Sequence, residues 1–563
     1  MGIANRIRRI SAGIADSAGL RRNLVGTWLV ASVLFGPFGS TVLAQQSAPA
    51  RNRSGVCDVR AFGAVGDGKK LDTDAINAAI RSCAEGGGGI VEFSAGTYLS
   101  GTIQMLSNIN VHLEAGATIL GSPNVRDYRS ISRSSEGRAT ALIVAEHAEK
   151  IAITGLGTID GNGRSFIREP RQPHPPGPFQ DFFATRQGAQ VWERVGENRE
   201  GPVRMRERPG VLVLFVECRD VTIRDITVLD APNWCIHLAC CDGVLLTSLD
   251  VRCSLLVPNA DALDVSGSRD VRISDSYLQG GDDGIAVSPC ADGYCQMAAE
   301  NIAVSNCELV SRSAAIRLGW AAHDIRNLTF TNLVIHDSNR GIGIFVRGTE
   351  NIENVLFSNI VIETRLMDGL WWGLGEPIHI SVAHYDAKAD INAQLKAPLG
   401  QVRNVRFVNV TTSSEAPIVL YSQEPGRIRG VLLSDCRQTV KESPLNTGMG
   451  GNLDLRPTNP GRLGLTKYDM AAFIAHGVEN LQLRGFDLDW QGTIPEFYTG
   501  GLEADAFKNI CIDNFTGRGP RVETPAIVLR DGENATVRDS RATTGKLLVL
   551  ERVRGRQESG SAP

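Results

Sequence analysis

The sequence predicts an all-β fold: a single-stranded right-handed parallel β-helix (solenoid) with a short N-terminal capping helix and long loop insertions. Short runs of alternating apolar and polar residues recur at intervals of about 23 to 31 residues, the length of one solenoid coil. Each run leads to an Asn, Asp or Ser, which favours a bend. Glycine is abundant at 60 residues whereas aromatic residues make up 6% of the chain, a composition that suits a turn-rich β protein.

The repeated runs are interpreted as strands because their alternation has the period of a strand, and most intervals between them lack a helical pattern. A stacked β-sandwich is the alternative, but its hairpins would need tight two-residue turns that are not evident in the sequence. The runs with this spacing are VTIRDITV from Val221, VLLTSLDV from Val244, VRISDSYL from Val271, IAVSNCEL from Ile302, LTFTNLVI from Leu328 and VLFSNIVI from Val355. The pattern returns at VRFVNV from Val405, VLLSDC from Val431, LQLRGF from Leu481 and ICIDNF from Ile510.

One segment near the N-terminus predicts a helix that covers the open end of the solenoid. A solenoid needs such a cap because exposed strand edges promote aggregation. In DTDAINAAIRSCAEGGGG, Asp72 or Thr73 can begin the helix and the glycines end it. Its apolar stripe consists of Ala75, Ile76, Ala79 and Ile80.

Three stretches interrupt the repeat and are expected to be long loops. They run from about Arg168 to Pro209, from about Asp368 to Leu399 and from about Glu442 to His476. Loops on a rigid scaffold often carry the residues that decide specificity.

The first 44 residues are expected to be an export signal, which would make the mature protein secreted or periplasmic. Arginines precede an apolar segment from Leu24 to Leu43, and Val42-Leu43-Ala44 offers a cleavage site. A twin-arginine signal at Arg21-Arg22 and a retained membrane anchor are the alternatives. The predicted organisation is a signal at 1–44, a linker at 45–55, an N-terminal cap with the first coils at 56–130, the main β-helix domain at 131–555 and a flexible tail at 556–563.

Charge and cysteine content exclude some classes of partner. The formal net charge is -4 with 58 basic and 62 acidic residues, so we expect no nucleic-acid partner. No later segment is apolar for long enough to predict stable membrane insertion.

Twelve cysteines in an exported chain allow disulfides, for which Cys290 and Cys295 are the best candidate pair because only four residues separate them. The sequence contains no CxxC pair with the spacing of a zinc site, so we expect no structural metal.

Two acidic motifs on consecutive predicted coils form the candidate site. YLQGGDDGIAVSP contains Asp282 and Asp283, and about one coil earlier VPNADALDVSG contains Asp261 and Asp264. Because residues one coil apart stack on neighbouring strands about 4.8 Å apart, Asp261 should lie beside the aspartate pair, with Asp264 nearby. A cluster of this kind cannot ionise fully, so at least one carboxyl should have a raised pKa.

A protonated carboxyl beside a carboxylate is what glycoside hydrolysis needs: an acid for the leaving oxygen and a base for water. Two other interpretations remain open. Aspartates at solenoid corners can bind turn amides, although that explains a single aspartate better than four. Carboxylates can also gather around calcium, as in a lyase of similar fold.

The chain resembles glycoside hydrolase family 28, the polygalacturonase family, over most of its predicted mature length. The resemblance is carried by FGAVGDGKKLDTDAINAAI from Phe62, AGTYLSGTI from Ala95, HLEAGATILGS from His112, ITGLGTIDGNG from Ile153, APNWCIHL from Ala231, NADALD from Asn259 and GGDDGIAV from Gly280. It implies a catalytic set in which Asp282 is the general acid while Asp261 and Asp283 activate water for inversion.

Two departures from the family pattern concern substrate binding. The family's Gly-His-Gly is replaced by SRSAAIRLGW from Ser311, and its Arg-Ile-Lys by RGIGIFVRG from Arg340. A different sugar at this subsite, or a substrate carboxylate held by Arg317 or Arg347, would explain the change, because Arg suits a bidentate carboxylate contact. The predicted substrate-binding residues, including those of the loop LWWGLGEPIHI from Leu370, are Asp264, Arg312, Arg317, Arg340, Arg347, Trp371, Trp372 and Glu376.

The expected function is inverting hydrolysis of a pectin-like, galacturonate-containing polysaccharide or oligosaccharide, without a metal or organic cofactor. Trp234, His237, Trp320 and His323 either line the same region or belong to the packing around it. The alternatives are a calcium-dependent polysaccharide lyase and a glycan-binding β-helix without turnover.

Overall fold

Parallel strands pair coil upon coil along this chain. The computed structural model describes residues 55–135, 138–168, 185–188, 203, 205–289, 295–320, 323–367, 371–384, 398–456, 458 and 464–559. Within these residues two sheets of 26 and 15 strands, here called sheet A and sheet B, run along the molecule with almost entirely parallel pairing. Each middle coil supplies two strands, or one long bent strand, to sheet A and one strand to sheet B. The chain is therefore a right-handed parallel β-helix, which confirms the predicted fold class.

The strands of sheet A are Val56–Asp58, Asp67–Leu71, Gly89–Phe93, Gly96–Ser100, Ile109–Leu113, Ala117–Gly121, Glu149–Gly155, Thr158–Asp160, Arg219–Arg224, Thr227–Leu229, Asp242–Thr247, Asp250–Arg252, Arg269–Ser274, Tyr277–Gly280, Ala299–Ser305, Glu308–Ser311, Ile325–Ser338, Asn351–Thr364, Gln401–Ser414, Ile428–Lys441, Val478–Gln491, Lys508–Asp513, Thr516–Gly517, Glu533–Arg538, Arg541–Ala542 and Arg554–Ser559.

The strands of sheet B are Ile103–Gln104, Ser130–Ser135, Arg138–Glu146, Val211–Val216, Trp234–Ala239, Leu263–Ser266, Ile285–Ser288, Ala314–Gly319, Arg340–Val346, Ile378–Val382, Ile418–Ser422, Met470–His476, Tyr498–Asp505, Ile527–Arg530 and Leu548–Glu551. A separate antiparallel pair consists of Asn452–Asp454 and Leu465–Lys467. The α-helices are Thr73–Glu85 and Asn446–Met449, and the 3₁₀ helices are Val59–Phe62, Val125–Asp127 and Gly163–Phe166.

The runs that predicted the repeat all lie on sheet A, and their first residues stack in register. Val221 pairs with Val244, and Val244 pairs with Val271. The same register continues from Ile302 to Leu328. The repeat length in the sequence is therefore one full coil, as predicted.

Asparagines hold the bends between strands. Asn327, Asn354 and Asn404 have φ between 54° and 62°, a left-handed conformation that asparagine tolerates better than most residues. Their side chains also bond from coil to coil: Asn354 Nδ2 donates to Asn327 Oδ1 at 3.3 Å, and Asn404 Nδ2 donates to Asn354 Oδ1 at 3.2 Å. The bends thus satisfy one another's polar groups.

The core fills the inside of the coils with stacked apolar side chains. Phe330, Phe357 and Phe407 occupy one register position on successive coils, with ring centroids 4.9 and 5.0 Å apart. All three are fully buried. Coil stacking therefore places like residues in direct contact, which fixes the register along the axis.

The predicted capping helix is present as Thr73–Glu85 and buries Ile76, Ala79 and Ile80. Asp72 precedes the helix but does not cap it with its side chain. Its carboxylate instead accepts the backbone N–H groups of Val65 and Gly66, both at 2.9 Å. Asp72 therefore fixes the loop that leads to the helix.

The predicted insertions are shorter than expected, because two of them contain strands of sheet B. Ile378–Val382 lies inside the stretch 368–399, and Met470–His476 lies inside the stretch 442–476. Almost every residue of both strands is buried, so neither shows the alternating pattern that identified the strands of sheet A. Most of the first insertion, the signal at 1–44 and nearly all of the linker at 45–55 lie outside the described residues, as do positions 560–563 of the predicted tail.

The predicted pairing of Cys295 with Cys290 is wrong. Cys295 is bonded to Cys240, 55 positions away in the sequence, and Cys290 lies outside the described residues. Cys240 directly follows a strand of sheet B, and the fold brings Cys295 beside it. Spacing along the chain therefore did not reveal the partner.

The turns that lead from sheet A into sheet B, here called the AB corner, carry most of the irregular chain. Their described residues include 161–168, 205–210, 365–367, 371–377, 442–456 and 464–469. The turns 253–262 and 281–284 lie at the same corner. No helix in the described part of the chain is long and apolar enough to cross a membrane.

Candidate active site

The three predicted catalytic aspartates lie together at the AB corner. Asp261 precedes the sheet B strand Leu263–Ser266, and Asp282 and Asp283 precede the next strand, Ile285–Ser288. These strands pair in parallel one coil apart, so the turns before them stack as well. One carboxyl oxygen from each aspartate lies within 4.8 Å of the others, and all three residues are buried.

The glycines beside the aspartate pair are required by close approach of the backbone. A Cβ on Gly280 would lie 2.2 Å from the carbonyl oxygen of Asp283. A Cβ on Gly281 would lie 2.3 Å from the carbonyl oxygens of Ser254 and Val257. Only glycine fits at both positions, so the tight turn that presents the two aspartates depends on them.

Asp283 is held by both of its carboxyl oxygens. Arg317 Nε donates to Asp283 Oδ2, and the backbone N–H of Ala314 donates to Oδ1 at 3.2 Å. The side chains of Asp283 and Arg317 are only 5% and 17% exposed, so water screens this ion pair weakly. Asp283 is therefore the member of the cluster that is paired with an arginine.

Asp282 is the member suited to carry a proton. Burial raises the pKa of Asp282 to about 7, and the charge on Asp283 adds to the increase. Hydrogen bonding from Ser313, the charge of Arg317 and the indole of Trp371 act in the opposite direction. Asp282 and Asp283 are adjacent in sequence, yet their surroundings separate an acid from a base.

Asp261 completes the cluster from the preceding coil. Burial raises the pKa of Asp261, and the carboxyl groups of Asp264, Asp282 and Asp283 raise it further, while Arg317 lowers it. Its Oδ1 atom has no hydrogen-bond partner among the described residues. This free oxygen gives the cluster a place at which water or a sugar hydroxyl can bind.

Asp264 lies on the sheet B strand that follows Asp261, close enough for its carboxyl group to raise the pKa of Asp261. It pairs across the sheet with His237 on one side and Ala286 on the other. His237 Nε2 lies 3.0 Å from Ser266 Oγ, and the His237 ring meets Trp234 edge to face with centroids 4.9 Å apart. Trp234 and His237 therefore pack around the site.

A cation is one possible occupant of the aspartate cluster. The oxygens of Asp261, Asp282 and Asp283 are hard ligands of the kind that calcium prefers. Arg317, however, already places a positive charge on Asp283, and that charge repels a second cation. The residues present therefore suit proton transfer better than metal binding.

Arg340 and Glu376, two predicted substrate-binding residues, contact each other in a buried network. Arg340 Nη2 lies 3.2 Å from Glu376 Oε1 and 3.6 Å from Asp454 Oδ2. His379 Nδ1 lies 3.2 Å from the same Glu376 oxygen. Although burial opposes it, the charge of Arg340 and the bond to His379 lower the pKa of Glu376 to about 2. The charged groups of Arg340 and Glu376 therefore bind each other inside the protein.

Arg347, another predicted substrate-binding residue, is also directed into the protein. Its guanidinium donates to the carbonyl oxygen of Ser381 at 2.9 Å and to Ser381 Oγ at 2.9 Å. Phe345 lies between Arg347 and Arg340, with its ring centroid 5.3 and 5.1 Å from the two guanidinium carbons. The structure thus uses both arginines to pack Phe345.

Arg312 lies directly at the corner that presents Asp282. Its backbone N–H donates to the carbonyl oxygen of Gly280 at 3.2 Å, and the residue is buried. Its side chain has partners within the protein. Of the predicted arginines, Arg312 and Arg317 are the two that the fold places beside the aspartates.

The predicted tryptophan loop does reach the site. Trp371 is 9% exposed and its indole lies close enough to Asp282 to act on that carboxyl. The neighbouring Trp372 is half-buried and meets Trp320 edge to face, with ring centroids 5.8 Å apart. The loop therefore brings one indole to the acid and places a second beside it.

Asp454 and Arg456 hold this loop, and no sequence pattern had pointed to either residue. Arg456 Nη2 donates to the carbonyl oxygen of Trp371 at 2.9 Å, and its guanidinium lies over the Trp372 ring at 5.3 Å. Asp454 binds Arg456 through two bonds of 2.8 Å and accepts the N–H of Gly373 at 3.1 Å. Their part of the chain was predicted only as an insertion.

The first and third insertions also meet. Arg186 donates from its backbone to Asn452 Oδ1 at 2.7 Å and from its guanidinium to the carbonyl oxygen of Tyr468 at 2.8 Å. Gln187 Nε2 donates to the carbonyl oxygen of Gly450 at 2.7 Å. Residues 185–188 therefore brace the segment that contains Asp454 and Arg456.

Comparison with known proteins agrees with this geometry. A model of glycosyl hydrolases family 28 matches residues 86–439. A probable polygalacturonase of Vitis vinifera is 26% identical over 349 residues, covering 58% of this chain and 64% of that protein. A probable polygalacturonase of Arabidopsis thaliana is 25% identical over 254 residues, covering 44% of this chain and 53% of that protein. The chain thus spans between about half and two thirds of the length of these relatives.

Among solved structures, the family 28 exopolygalacturonase of Yersinia enterocolitica matches with a TM-score of 0.56 and 18% identity, covering 90% of this chain and 79% of that chain. At that identity the likeness concerns the fold alone. The family match covers more than half of the sequence and includes the aspartate cluster, so it shows family membership as well as fold. The chain belongs to glycosyl hydrolase family 28.

Proposed function

We propose that this protein is a glycoside hydrolase that cleaves a pectin-like, galacturonate-containing polysaccharide or oligosaccharide by single displacement with inversion. The observation that carries the proposal is the contrast between two adjacent carboxyl groups. Asp282 is buried with a pKa raised by burial to about 7, whereas Asp283 is ion-paired with Arg317. Glycoside hydrolysis needs one acid and one base in this proximity.

The reaction assigns each proton to a named group. Asp282 gives its proton to the glycosidic oxygen while the bond from that oxygen to the anomeric carbon breaks, and the electron pair stays with the oxygen of the departing sugar. A water molecule forms the new bond to the anomeric carbon, and Asp283 accepts the proton that it loses. Asp261 helps to orient this water through the carboxyl oxygen that has no other partner.

Inversion is proposed although the carboxyl groups are close together. Inverting enzymes commonly separate the two groups by about 6.5 to 9.5 Å, and retaining enzymes by about 5 to 5.5 Å. Here the nearest oxygens lie within 4.8 Å, so spacing alone favours retention. Both Asp283 oxygens, however, accept protein hydrogen bonds, which favours a base acting through water over a nucleophile.

The substrate class follows from the family and from the names of the relatives, which are polygalacturonases. Asp264, Arg312 and Trp372 are proposed to contact the substrate, and their location near the aspartate cluster supports this; Arg317 is proposed to hold Asp283. Arg340, Arg347 and Glu376 are proposed to support the cleft, because their charged groups are bonded within the protein. We further propose that the mature protein is secreted or periplasmic, as the apolar segment within 1–44 predicts.

The test is product analysis on homogalacturonan, rhamnogalacturonan and their short oligomers, with and without a chelator. Asp282→Asn is compared with Asp270→Asn, which makes the same change at an exposed bend where Asp270 accepts a bond from Asn301. We expect reducing ends that survive chelation, persist in Asp270→Asn and fall about 10²- to 10⁴-fold in Asp282→Asn. Proton NMR of the first product gives its anomeric configuration.

The outcomes separate the alternatives. An inverted product supports the single displacement, and a retained one would make Asp283 or Asp261 a nucleophile. Unsaturated, calcium-dependent products would place the aspartates in a lyase. Binding without any product would indicate a glycan-binding protein and overturn the proposed activity.

A further inference from the structure

We propose that Trp371 is a catalytic residue whose indole N–H binds the carboxylate of Asp282 once that group has given up its proton, and that Arg456 positions it. The inference rests on the proposed hydrolysis and assigns the tryptophan a role other than sugar stacking. It arises from the contacts that surround a single buried N–H group.

The Trp371 indole nitrogen is a donor without an acceptor. The residue is 9% exposed, and Nε1 has no hydrogen-bond partner among the described residues. A buried donor left unpaired is costly, so its persistence calls for an acceptor that is present in another state of the protein. Asp282 is the carboxyl group on which this indole acts.

Protonation of Asp282 should weaken the hydrogen bond from the Trp371 indole in the resting enzyme. Burial raises the pKa of Asp282 to about 7, so in the resting enzyme below that pH the group carries a proton. A neutral carboxyl is a weaker acceptor than a carboxylate, and bonds to charged groups are roughly twice as strong as neutral ones. Proton transfer to the leaving oxygen creates the charge that the indole can bind.

The loop that carries Trp371 is fixed by several contacts, so the indole is held in place before the reaction. Arg456 Nη2 donates to the carbonyl oxygen of Trp371 at 2.9 Å, and Asp454 binds both Arg456 and the N–H of Gly373. Asn339 Nδ2 donates to the carbonyl oxygen of Trp372 at 2.9 Å. A donor that is already held in place needs little reorganisation when it binds the charge that develops on Asp282.

Other groups also face Asp282 and contribute to its titration. The neighbouring carboxyl groups oppose its ionisation, whereas Arg317 and the hydrogen-bonding side chains favour it. The groups are Asp261, Asp283, Arg317, Asn259, Ser313 and Trp371. Arg456 donates to the carbonyl oxygen of Trp371, so we expect changes at Arg456 to act on Asp282 through the indole.

The experiment compares Trp371→Phe, which keeps a ring and removes the N–H, with Trp490→Phe. Trp490 Nε1 donates to the carbonyl oxygen of Arg518 at 3.1 Å, so the control also removes a buried indole bond. We expect Trp371→Phe to move the alkaline limb of the pH–rate profile upward by about half to one unit and to lower kcat about tenfold, with KM little changed. Trp490→Phe should leave the limb unchanged.

Arg456→Lys tests the positioning. It keeps the positive charge but cannot reproduce the paired bonds to Asp454 or the fixed bond to the Trp371 carbonyl. We expect an upward shift of the alkaline limb, smaller than that of Trp371→Phe. The double variant should shift no further than Trp371→Phe alone, because both changes act through the same N–H.

A second readout does not depend on turnover. Carbon-13 NMR of labelled aspartate side chains, with Asp282 assigned by its loss in Asp282→Asn, reports the titration of this carboxyl directly. An upward shift in Trp371→Phe supports the inference even if no substrate is hydrolysed. An unchanged titration, or a change confined to KM, overturns it and leaves Trp371 as a sugar-contacting or packing residue.

Discussion

The guanidinium of Arg317 binds the carboxylate of Asp283, and the backbone N–H of Ala314 binds the other oxygen of the same group. Asp283 and Arg317 lie on neighbouring coils, 34 positions apart in sequence. Asp282, the preceding residue, forms no ion pair among the described residues and has a pKa raised by burial to about 7. One ion pair therefore separates the roles of two adjacent aspartates.

Replacing Arg317 with Gln should disable the site by removing this charge. Because Arg317 lowers the pKa of Asp282, its loss should raise that pKa and move the alkaline limb of the pH–rate profile to higher pH. The base would also lose its partner, and we expect kcat to fall about 100-fold. Arg326→Gln, which breaks the Arg326–Glu300 pair on sheet A, serves as the control. An unchanged profile in Arg317→Gln would contradict the assignment.

Arg340→Met should destabilise the fold. Glu376 and Asp454 are 3% and 1% exposed, and without Arg340 the charge of Glu376 loses its main partner in the interior. The expected loss is about 3 to 5 kcal/mol in the free energy of unfolding, measured with urea at pH 7. Arg437→Met breaks an exposed pair with Asp487 and should change stability by less than about 0.5 kcal/mol. Equal effects of both variants would refute the prediction.

The same network should fail in acid. Arg340 and His379 lower the pKa of Glu376 to about 2 against the opposing effect of burial, below the value of about 4.3 for an unfolded glutamate. A lowered pKa stabilises the fold above the unfolded value, and this contribution is lost as the pH falls through the folded value. The difference between wild type and Glu376→Gln should therefore shrink between about pH 4 and pH 2. A constant difference would show that the charge of Glu376 is unimportant.

Glu350→Gln should stabilise the protein above neutral pH. Burial raises the pKa of Glu350 to about 7, while its Oε1 accepts the N–H of Arg347 at 2.7 Å and its Oε2 has no partner among the described residues. A raised carboxyl pKa costs stability as the pH rises from about 4.3 towards 7, by roughly 4 kcal/mol once complete. Gln keeps the acceptor without the charge.

Urea unfolding of Glu350→Gln at pH 5 and pH 8 measures this effect. The variant should gain stability over wild type at pH 8 and much less at pH 5. Glu363→Gln, at an exposed glutamate paired with Lys441, controls for the loss of a carboxylate. A gain that is equal at both pH values would indicate a packing effect instead of a titration.

Opening the Cys240–Cys295 disulfide should lower stability. The bond closes a loop with a sequence separation of 55, for which chain entropy predicts about 4 kcal/mol. The Cys240→Ser/Cys295→Ser variant should unfold at lower urea concentration, whereas Cys511→Ser, at a free and partly exposed cysteine, should not. Peptide mapping without reduction should recover Cys240 and Cys295 in one linked fragment. A fragment linking Cys290 instead would contradict the structure.

The sequence predicted sheet A better than sheet B, for a reason visible in two strands. Val221 begins a run that alternates in burial, so its period is readable. Ile378–Val382 and Met470–His476 are covered on both faces, so their sequences show no alternation, and they were assigned to insertions. A strand that is buried on both faces can be recognised only by its apolar composition, because its sequence has no alternating pattern.

The meeting of Asp261 with Asp282 and Asp283 was predictable because one coil is a short, regular distance along the chain. The residues that contact these aspartates from other loops were not predictable, because contacts between loops do not follow the coil repeat. Arg456 binds the carbonyl of Trp371 across 85 positions, and Cys240 pairs with Cys295 in place of the nearer Cys290. Arg340 and Arg347 were predicted to bind substrate, but in the fold their guanidinium groups bind Glu376 and the Ser381 carbonyl oxygen inside the protein.

The sequence by itself determined the coil, its register and the meeting of Asp261 with Asp282 and Asp283, because each follows from a local repeat in which every residue lies above its counterpart. Only the tertiary structure decided which aspartate is paired with an arginine and which indole lies beside its neighbour. Those properties depend on burial and on partners from distant loops, and neither is written in the spacing of residues along the chain.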